Sequence, residues 1–324
     1  MKYAPIIIPT LNRYQHLKNC VESLARNKYA QYSDLYISVD YPPNEKYYEG
    51  YNQIKNYIEN GIMGFKNVYY TFQKENLGPF DNERYLRDWV FETNDRFIFS
   101  EDDNYFSPNF LEYINKNLDY FENDKRIFAI SGYSKPIEWG EKKYSIIQNI
   151  HFGPYGYGTW KDRNDRFETL KYTDIRKYLF NYHNALNLYK TNEHYFVDAV
   201  EIAIGKHYLA LNKEKKIRAM DITKTLYAII YKMYFICPLL SRSRNMGYDG
   251  SGINCKVAQK GNNDYYDEQE IDEESSYNFS KPIEIDRNYI IKFNSFYKIK
   301  RNTVIKAWIK WLALIKIKGF TERN

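Results

Sequence analysis

The stretch "RFIFSEDDNYFSPNF", residues 96–110, places three consecutive acids directly after a run of alternating apolar residues. That run reads as a buried strand, so Glu101, Asp102 and Asp103 lie where the predicted strand ends. Like charges this close repel by about 4 kcal/mol per pair at an effective dielectric of 20. The sequence therefore predicts either that a cation binds to the acids or that all three point into water.

Segments on either side of this run alternate between strand-like and helix-like patterns. Strand-like runs lie at residues 4–10, 34–40, 67–73, 96–100 and 126–133, and helix-like spacing lies at 15–27, 47–61, 82–93 and 109–124. Strands that alternate with helices of this length predict an α/β sandwich with a largely parallel sheet. Ligands of such sheets bind at the carboxyl ends of the strands. Residues 9–13, Asp40 and the acids at 101–103 follow strand ends, so we expect one crevice to gather them.

The second half of the chain has a less regular pattern. Residues 151–167 are rich in glycine and aromatic residues and predict a loop. Helix-like spacing lies at 174–188, 195–212 and 219–233, and a strand-like run lies at 234–240. Residues 257–285 are polar and acidic, which is typical of a solvated segment.

Charge and cysteine content limit the classes of function. The chain has 47 Lys and Arg against 41 Asp and Glu. The net charge of +6 suits anionic ligands such as nucleotides, but the basic residues are too dispersed to indicate a nucleic-acid partner. The 3 cysteines show no metal-ligand spacing and favour a reducing compartment. We find no signal peptide and no membrane-spanning stretch, so we expect a cytoplasmic protein, soluble or peripheral on the inner face of the cell membrane.

Residues 297–324 form a separate basic segment with an amphipathic pattern. On a helical wheel Lys306 and Lys310 lie opposite an apolar face. That face consists of Val304, Ile305, Trp308, Trp311, Leu312 and Ile315. Basic residues with Trp on an amphipathic helix suit an anionic membrane surface. The pattern equally suits a terminal helix that packs on the protein's own core, and the sequence leaves both interpretations open.

The order of several short motifs resembles one enzyme family. "SEDDN" at 100–104 resembles the DxD-type metal-binding motif of GT-A glycosyltransferases. Before it lie "PIIIPTLNR" and "YISVD", and after it lie "IFAISGYS", "GPYGYGTWKDR" and "RNMGYDGSGINC". In this order the set is similar to bacterial glycosyltransferases related to N-acetylglucosaminyltransferase I. The similarity spans roughly residues 4–255.

The resemblance implies a GT-A fold, a Rossmann-like nucleotide-binding α/β/α sandwich with a mixed sheet. It implies a catalytic domain at residues 1–255, with a nucleotide-sugar-binding half at 1–133 and an acceptor-binding half at 134–255. A polar linker at 256–296 and the basic C-terminal helix at 297–324 would follow.

The resemblance also implies roles on the donor side. Asp103 would bind Mn²⁺ or Mg²⁺, since such ions take carboxylate and phosphate oxygens when a nucleotide supplies further ligands. The nucleotide sugar would contact Pro9, Thr10, Arg13, Asp40, Glu101, Asp102, Arg242 and Arg244. Asp40 would accept the imide N–H of uracil. From the residues alone, the apolar strand before the acids and their place at a strand end favour a metal-diphosphate site over a solvated turn or a helix cap. Each arginine equally suits a surface charge.

On the acceptor side, the resemblance implies that Asp221 is the catalytic base. In inverting relatives an Asp at the start of a helix faces the acceptor hydroxyl, and "AMDITKTLYAII" places Asp221 at such a start. Asp also caps helices well, so both roles stay open. Tyr155, Tyr157 and Trp160 either stack on the acceptor sugar or pack inside the protein.

Together these features predict a metal-dependent inverting glycosyltransferase of polysaccharide or glycoconjugate biosynthesis. It would transfer a hexose or N-acetylhexosamine from a nucleotide sugar, UDP-linked in view of Asp40, to a hydroxyl of a glycan or lipid-linked acceptor. One alternative is a sugar nucleotidyltransferase, which we expect to carry a glycine-rich loop with a basic residue after the first strand; "PTLNRYQH" lacks one. Another alternative is a non-catalytic glycan-binding or membrane-associated scaffold of the same fold.

Overall fold

The computed structural model describes residues 2–252, 269–285, 287–297 and 299–321, which divide into two compact units. The sheet unit contains the described residues of 1–149, 153–164 and 235–284, and the helical unit contains those of 150–152, 165–234 and 285–324. These boundaries differ from the domain boundaries that the sequence predicts. The predicted division into a nucleotide-sugar-binding half, an acceptor-binding half, a linker and a C-terminal helix stays a prediction.

Parallel pairing organises the first half of the sheet unit. Its strands are β1 (Ile6–Thr10), β2 (Leu35–Val39), β3 (Val68–Phe72) and β4 (Arg96–Phe99). β2 pairs with β1 and β3, and β1 also pairs with β4, all in parallel. The spatial order is therefore β3-β2-β1-β4, and the direction of chain progression reverses between β1 and β4. In open α/β sheets such a reversal opens a ligand crevice at the carboxyl ends of the strands.

The rest of the sheet unit adds strands that pair in both directions. They are β5 (Asn104–Phe106), β6 (Ile127–Ser131), β7 (Ile146–Asn149), β8 (Tyr157–Trp160), β9 (Tyr234–Pro238), β10 (Ser243–Asn245) and β11 (Ile283–Glu284). β8 lies between β4 and β6 and is antiparallel to both. Within the described residues a nine-stranded sheet runs β11-β7-β9-β6-β8-β4-β1-β2-β3, and β5 pairs with β10 in a separate antiparallel ribbon.

Three helices of the sheet unit follow parallel strands, α1 (Tyr14–Ala25), α2 (Tyr48–Glu59) and α3 (Pro79–Phe91), and a fourth, α4 (Phe110–Phe121), follows β5. α1 buries Leu17, Val21 and Leu24, the spacing that predicted it. Strands β1, β2 and β4 are almost wholly buried. The predicted α/β fold with a mixed sheet is confirmed.

Residues 151–167 are not the loop that their glycine content predicts. They contain β8 and the beginning of α5 (Lys161–Glu168). At Gly158 a Cβ would lie 2.6 Å from Ile114 Cγ2 and 2.9 Å from Leu118 Cδ1. This glycine therefore lets β8 approach α4 closely, rather than forming a turn.

The prediction of a solvated segment at 257–285 fails at four of the described residues, Gln269, Ile271, Asp272 and Tyr277, which are buried, whereas most of the other described residues there are exposed. Residues 253–268 lie outside the part that the structure describes. Ile271 and Tyr277 are 3% and 1% exposed. The acid Asp272 is also buried, and its Oδ2 accepts a hydrogen bond from Arg242 Nη2 at 2.8 Å. A buried ion pair explains why polar composition misled the prediction here.

The helical unit contains α6 (Tyr172–Leu179), α7 (Tyr182–Thr191), α8 (Glu193–Ala203), α9 (Asp221–Tyr231), α10 (Arg287–Asn294) and α11 (Arg301–Thr321). The helix predicted at 174–188 is two helices, because Asn181 caps α7 by accepting from Asn184 N at 3.2 Å. The helix predicted at 195–212 ends early, near Gly205, whose φ is +71°. None of the described helices is long and apolar enough to cross a membrane.

Replacing Gly158 by alanine tests the packing of β8 on α4. We expect Gly158→Ala to lower the free energy of unfolding by about 1–3 kcal/mol, because the added methyl overpacks the core. Urea denaturation followed by circular dichroism measures the change. Lys213→Ala, at an exposed position, serves as control and should change the free energy by less than about 0.5 kcal/mol. An unchanged midpoint for Gly158→Ala would contradict the close packing.

Candidate active site

The ends of β1 and β4 bring the first loop and the acidic run side by side. In the parallel pair Ile7 lies opposite Phe99, and Ser100 N donates to Ile7 O at 3.0 Å. Thr10 ends β1, and residues 101–103 follow β4 directly. The structure thus places side chains from these two segments together at the carboxyl edge of the sheet.

The acids at this edge are paired with an arginine of the protein itself. Arg13 precedes α1, and its Nη1 donates to Asp103 Oδ2 at 2.6 Å while its Nη2 donates to Asp102 Oδ1. Thr10 Oγ1 donates to Asp102 Oδ2 at 2.7 Å, and Asn245 Nδ2 donates to Asp103 Oδ1 at 2.9 Å. We call these five residues the Arg13 cluster. Of the two alternatives that the sequence leaves open for the acids, a cation thus holds for Asp102 and Asp103, and Arg13 supplies it.

Burial makes the electrostatics of the cluster strong. The side chains of Asp102 and Asp103 are each 6% exposed, whereas that of Arg13 is 21% exposed. Burial raises the pKa of the Asp103 carboxyl; the charge of Arg13 opposes this shift, and that of Asp102 adds to it. Burial acts to lower the pKa of Arg13, but the two carboxylates outweigh it and hold that pKa above its ordinary value. The guanidinium therefore stays charged and forms the solvent side of the cluster.

The ribbon of β5 and β10 closes the cluster on a second side. Asn104 lies opposite Asn245 in the ribbon, and Met246 N donates to Asp103 O at 2.8 Å. At Gly247 a Cβ would lie 2.1 Å from Asp103 Oδ2. A side chain at position 247 would clash with that carboxylate. The place of Asp103 in the cluster therefore requires glycine at this position.

The loop after β10 is also tied to α1. His16 Nε2 lies 2.9 Å from Asp249 Oδ2 and 3.2 Å from Ser251 Oγ. Burial acts to raise the pKa of Asp249, but hydrogen bonds from Ser251 and the contact with His16 outweigh it and lower that pKa to about 2. These contacts hold residues 247–251 beside the start of α1.

Asp40 does not have the free acceptor that uracil recognition needs. Its Oδ1 accepts from Tyr41 N at 2.9 Å and from Leu77 N at 2.8 Å. Its Oδ2 accepts from Gly78 N at 2.8 Å and from Asn76 Nδ2 at 3.2 Å. A carboxylate offers about four acceptor sites, and all are used. The geometry thus argues against the predicted uracil contact and makes Asp40 an organiser of the loop before α3.

Two of the predicted donor-site residues, Arg242 and Arg244, have different surroundings. Arg242 is buried, pairs with Asp272, and lies 4.5 Å from the ring centroid of Tyr113. Its guanidinium is thus paired with Asp272 inside the protein, and this geometry argues against the predicted diphosphate contact of Arg242. Arg244 lies on β10 with its side chain 24% exposed, 5.5 Å from the Tyr105 ring centroid. Its predicted contact with a diphosphate stays a prediction.

Glu101 and Pro9 both lie at the edge of the cluster. Glu101 is partly exposed, and its carbonyl oxygen accepts from Ser100 Oγ at 2.7 Å. Pro9 belongs to β1, opposite Ser38 of β2. Both are placed beside the crevice, and their contacts with a nucleotide stay predictions.

The three predicted acceptor-binding aromatics separate into packing and surface residues. Tyr157 and Trp160 lie on β8 and are each 2% exposed. The Tyr157 ring packs 5.3 Å from that of Phe99, and the guanidinium carbon of Arg163 lies 4.1 Å from the Trp160 ring centroid. Stacking on an acceptor is therefore wrong for these two. Tyr155 is half-buried, with its hydroxyl 3.0 Å from that of Tyr248, and stays a prediction.

Asp221 is the first residue of α9 in the helical unit, and its side chain is exposed. The N-cap is Met220, and Asp221 Oδ1 accepts from Ile222 N at 2.8 Å. Asp221 therefore does not occupy the N-cap position itself. Its role as catalytic base stays a prediction.

Sequence reasoning missed Asn245, Gly247 and His16 because each acts across a long separation in the chain. Asn245 and Gly247 belong to the motif "RNMGYDGSGINC", whose resemblance to a glycine-rich family segment was a signal that the segment lies at a site. Nothing in the local pattern shows that the side-chain amide of Asn245 donates to Asp103.

No family model and no curated protein match the chain. Among solved structures, it is similar to S. aureus TarS 1–349 in complex with UDP, with 11% identity over 66% of this chain and 77% of that chain and a TM-score of 0.36. In two other TarS structures the similar region covers 49% and 44% of that chain, about half its length.

Two further solved structures are similar at the same level. The mannosyltransferase PcManGT from Pyrobaculum calidifontis, in complex with GDP-Man and Mn²⁺, is 12% identical over 71% of this chain and 69% of that chain, with a TM-score of 0.39. A protein assigned as a glucose-1-phosphate thymidylyltransferase, from Bacillus anthracis, is 16% identical over 52% and 76%, with a TM-score of 0.29.

Replacing Asp40 by asparagine tests its structural role. We expect Asp40→Asn to lower the free energy of unfolding by about 2–4 kcal/mol, because in either orientation the amide nitrogen faces two N–H donors, at least one of them on the backbone, that lose their acceptor. Asp34→Asn is the matched control: Asp34 accepts from Asn67 at a more exposed site, and the change should cost about 1 kcal/mol or less. Urea denaturation measures both variants. Parent-like stability of Asp40→Asn, together with lost uridine nucleotide binding, would instead support the uracil contact.

Proposed function

We propose that this protein is a glycosyltransferase that takes its sugar from a nucleotide-diphosphate donor bound beside the Arg13 cluster. The observation that carries the proposal is the position of the cluster. It lies at the carboxyl ends of β1 and β4, where the order of the strands reverses. Open α/β sheets bind nucleotides at this place, because the loops of the two strands diverge there.

Arg13 is the group that we propose for the diphosphate. A guanidinium matches phosphate oxygens in a bidentate way. Since Arg13 is more exposed than the two carboxylates behind it, an approaching anion meets the guanidinium first. Pro9, Thr10, Glu101, Asp102 and Arg244 complete the donor site in this proposal.

The donor set of the cluster fits a hard divalent cation. Asp102 Oδ1 and Asp103 Oδ2 both face the Arg13 guanidinium, so a cation already lies on these two oxygens. Among the described residues no group of three or more His, Cys, Asp and Glu side chains is placed to hold a metal, so donor phosphates would supply further ligands. Asp103, with Asp102 beside it, would hold Mn²⁺ or Mg²⁺, which when bound supplies positive charge next to the departing nucleoside diphosphate.

The charge count of the cluster links Arg13 to the metal. With both carboxylates ionised, two negative charges and one guanidinium leave one net negative charge, which disfavours a diphosphate. Arg13 can donate both of its Nη groups to the diphosphate only if another cation replaces it on Asp102 and Asp103. We therefore propose that Arg13 leaves the two carboxylates for the diphosphate when the donor binds, and that Asp102 and Asp103 would then hold the divalent cation.

For the transfer itself we propose an inverting reaction with Asp221 as base. Its carboxylate takes the proton of the acceptor hydroxyl while that oxygen bonds to the anomeric carbon. The bond from this carbon to the diphosphate breaks on the opposite side, and the nucleoside diphosphate leaves with the electron pair. General-base help of this kind contributes roughly 10²- to 10⁴-fold. The sugar, a hexose or N-acetylhexosamine, and a glycan or lipid-linked acceptor follow from the family resemblance.

A thermal-shift screen of UDP, GDP and dTDP, with and without Mn²⁺, tests the donor site. Because Asp40 is saturated, the preference for UDP rests on the resemblance alone, and all three are compared. We expect one of them to raise the melting temperature by about 5 °C at a hundredfold excess over its Kd. Asp103→Asn should lose the part of this increase that depends on Mn²⁺. Asp88→Asn, the same change at an exposed site on α3, should keep it. No shift with any nucleotide would contradict the proposal.

Arg13→Gln tests the exchange of cations. We expect it to bind the nucleotide at least about tenfold more weakly, through loss of a charge-assisted contact. In the absence of nucleotide it should bind Mn²⁺ more tightly than the parent, because the competing guanidinium is gone. Electron paramagnetic resonance of free Mn²⁺ gives both affinities for the metal. Lys18→Gln, the same loss of charge on the exposed side of α1, should match the parent. Equal Mn²⁺ affinity in parent and Arg13→Gln would refute the exchange.

Product analysis separates the alternatives. A glycosyltransferase releases nucleoside diphosphate from a nucleotide sugar, whereas a nucleotidyltransferase releases pyrophosphate from a nucleoside triphosphate and a sugar 1-phosphate. A scaffold does neither. Incubation with both substrate pairs, followed by anion-exchange chromatography, distinguishes the three classes.

A further inference from the structure

One face of α11 is used for packing within the helical unit. Val304, Ala307, Trp311 and Leu314 are buried, between 1% and 7% exposed. Trp311 Nε1 donates to Leu179 O at 2.8 Å, and the Trp308 ring packs 4.3 Å from that of Phe196. Packing on the protein's own core, one of the two interpretations open from the sequence, thus holds for this face. Trp311 and Val304 are not available to a membrane.

A second face of α11 leaves large aliphatic side chains in solvent. Ile305, Ile309 and Leu312 are 49%, 61% and 53% exposed. Their spacing of four and three residues places them in one line along the helix. We call them the apolar stripe. Burying such side chains is favourable by about 1.5–3 kcal/mol each when complete, so the stripe is costly to leave in water.

Basic residues surround the stripe, and acids are absent from its part of the sequence. Residues 287–321 contain no Asp or Glu and nine basic residues: Arg287, Lys292, Lys298, Lys300, Arg301, Lys306, Lys310, Lys316 and Lys318. Lys306 and Lys316 are exposed, whereas Lys310 pairs with Glu201. The stripe therefore lies on a helix of strongly positive charge.

We propose that the apolar stripe, with Lys306 and Lys316, binds an anionic lipid surface. Aliphatic residues that enter the interface beside lysines that meet lipid phosphates are the features of a helix lying on a membrane. Three half-exposed side chains present a few hundred Å², far less than the roughly 800 Å² per partner of a stable protein interface. The charge and the small area thus favour lipid over a second protein chain. This surface is independent of the donor site.

Vesicle co-sedimentation of the full chain tests the proposal. The parent should sediment with vesicles of phosphatidylcholine mixed with phosphatidylglycerol and stay in solution with phosphatidylcholine alone. The triple variant Ile305→Ser, Ile309→Ser, Leu312→Ser should bind the anionic vesicles at least about thirtyfold more weakly. Met63→Ser, at an 86% exposed apolar residue of the sheet unit, is the matched control and should bind as the parent does.

Lysine variants and salt test the electrostatic part. Lys306→Gln and Lys316→Gln should each weaken binding to the anionic vesicles about fivefold. Added salt should weaken the binding of the parent to the same vesicles. Circular dichroism confirms that each variant is folded, as expected for exposed positions. Failure of the parent to bind anionic vesicles, or equal binding by the triple variant, would overturn the proposal. A parent that is a dimer and a triple variant that is a monomer in analytical ultracentrifugation would also overturn the proposal, because the apolar stripe would then bind a second copy of the chain.

Discussion

Two buried carboxylates on adjacent residues, held by one guanidinium, are the constraint on which the candidate site depends. Asp102 and Asp103 repel each other at the edge of an apolar sheet, and Arg13 bridges them. Removing one partner from such a group leaves an unpaired buried charge, which costs about 3–5 kcal/mol. The loop after β1 and the turn after β4 are therefore fixed relative to each other by charge as well as by strand pairing.

The same constraint recruits a third part of the chain. Asn245 of β10 donates to Asp103, and Gly247 leaves room for that carboxylate because it has no side chain. Segments more than 140 residues apart thus converge on one carboxyl group. A cluster with one net negative charge and an arginine on its solvent side is poised to exchange cations, and this property connects its stability to the proposed binding of a nucleotide diphosphate.

The alternation of strands and helices over the first 133 residues could be predicted because each element there is defined by its own local period. Local charge also limited residues 101–103 to two alternatives, a bound cation or exposure to water, and two of the three acids have the cation. What failed depends on distant partners: Asp40 is saturated by the segment 76–78, and Arg242 is matched to Asp272. The glycine content around Gly158 predicts a loop, whereas its close contact with α4 shows why a strand needs glycine there. No pattern within a short window contains that information.

The most direct test of the account is a crystal structure of the protein grown with Mn²⁺ and the nucleoside diphosphate, of UDP, GDP and dTDP, that raises its melting temperature most. We expect the diphosphate to lie at the carboxyl ends of β1 and β4, with the guanidinium of Arg13 on its oxygens and a metal ion on Asp103. Nucleotide bound elsewhere, with Arg13 still bridging Asp102 and Asp103, would contradict the central claim.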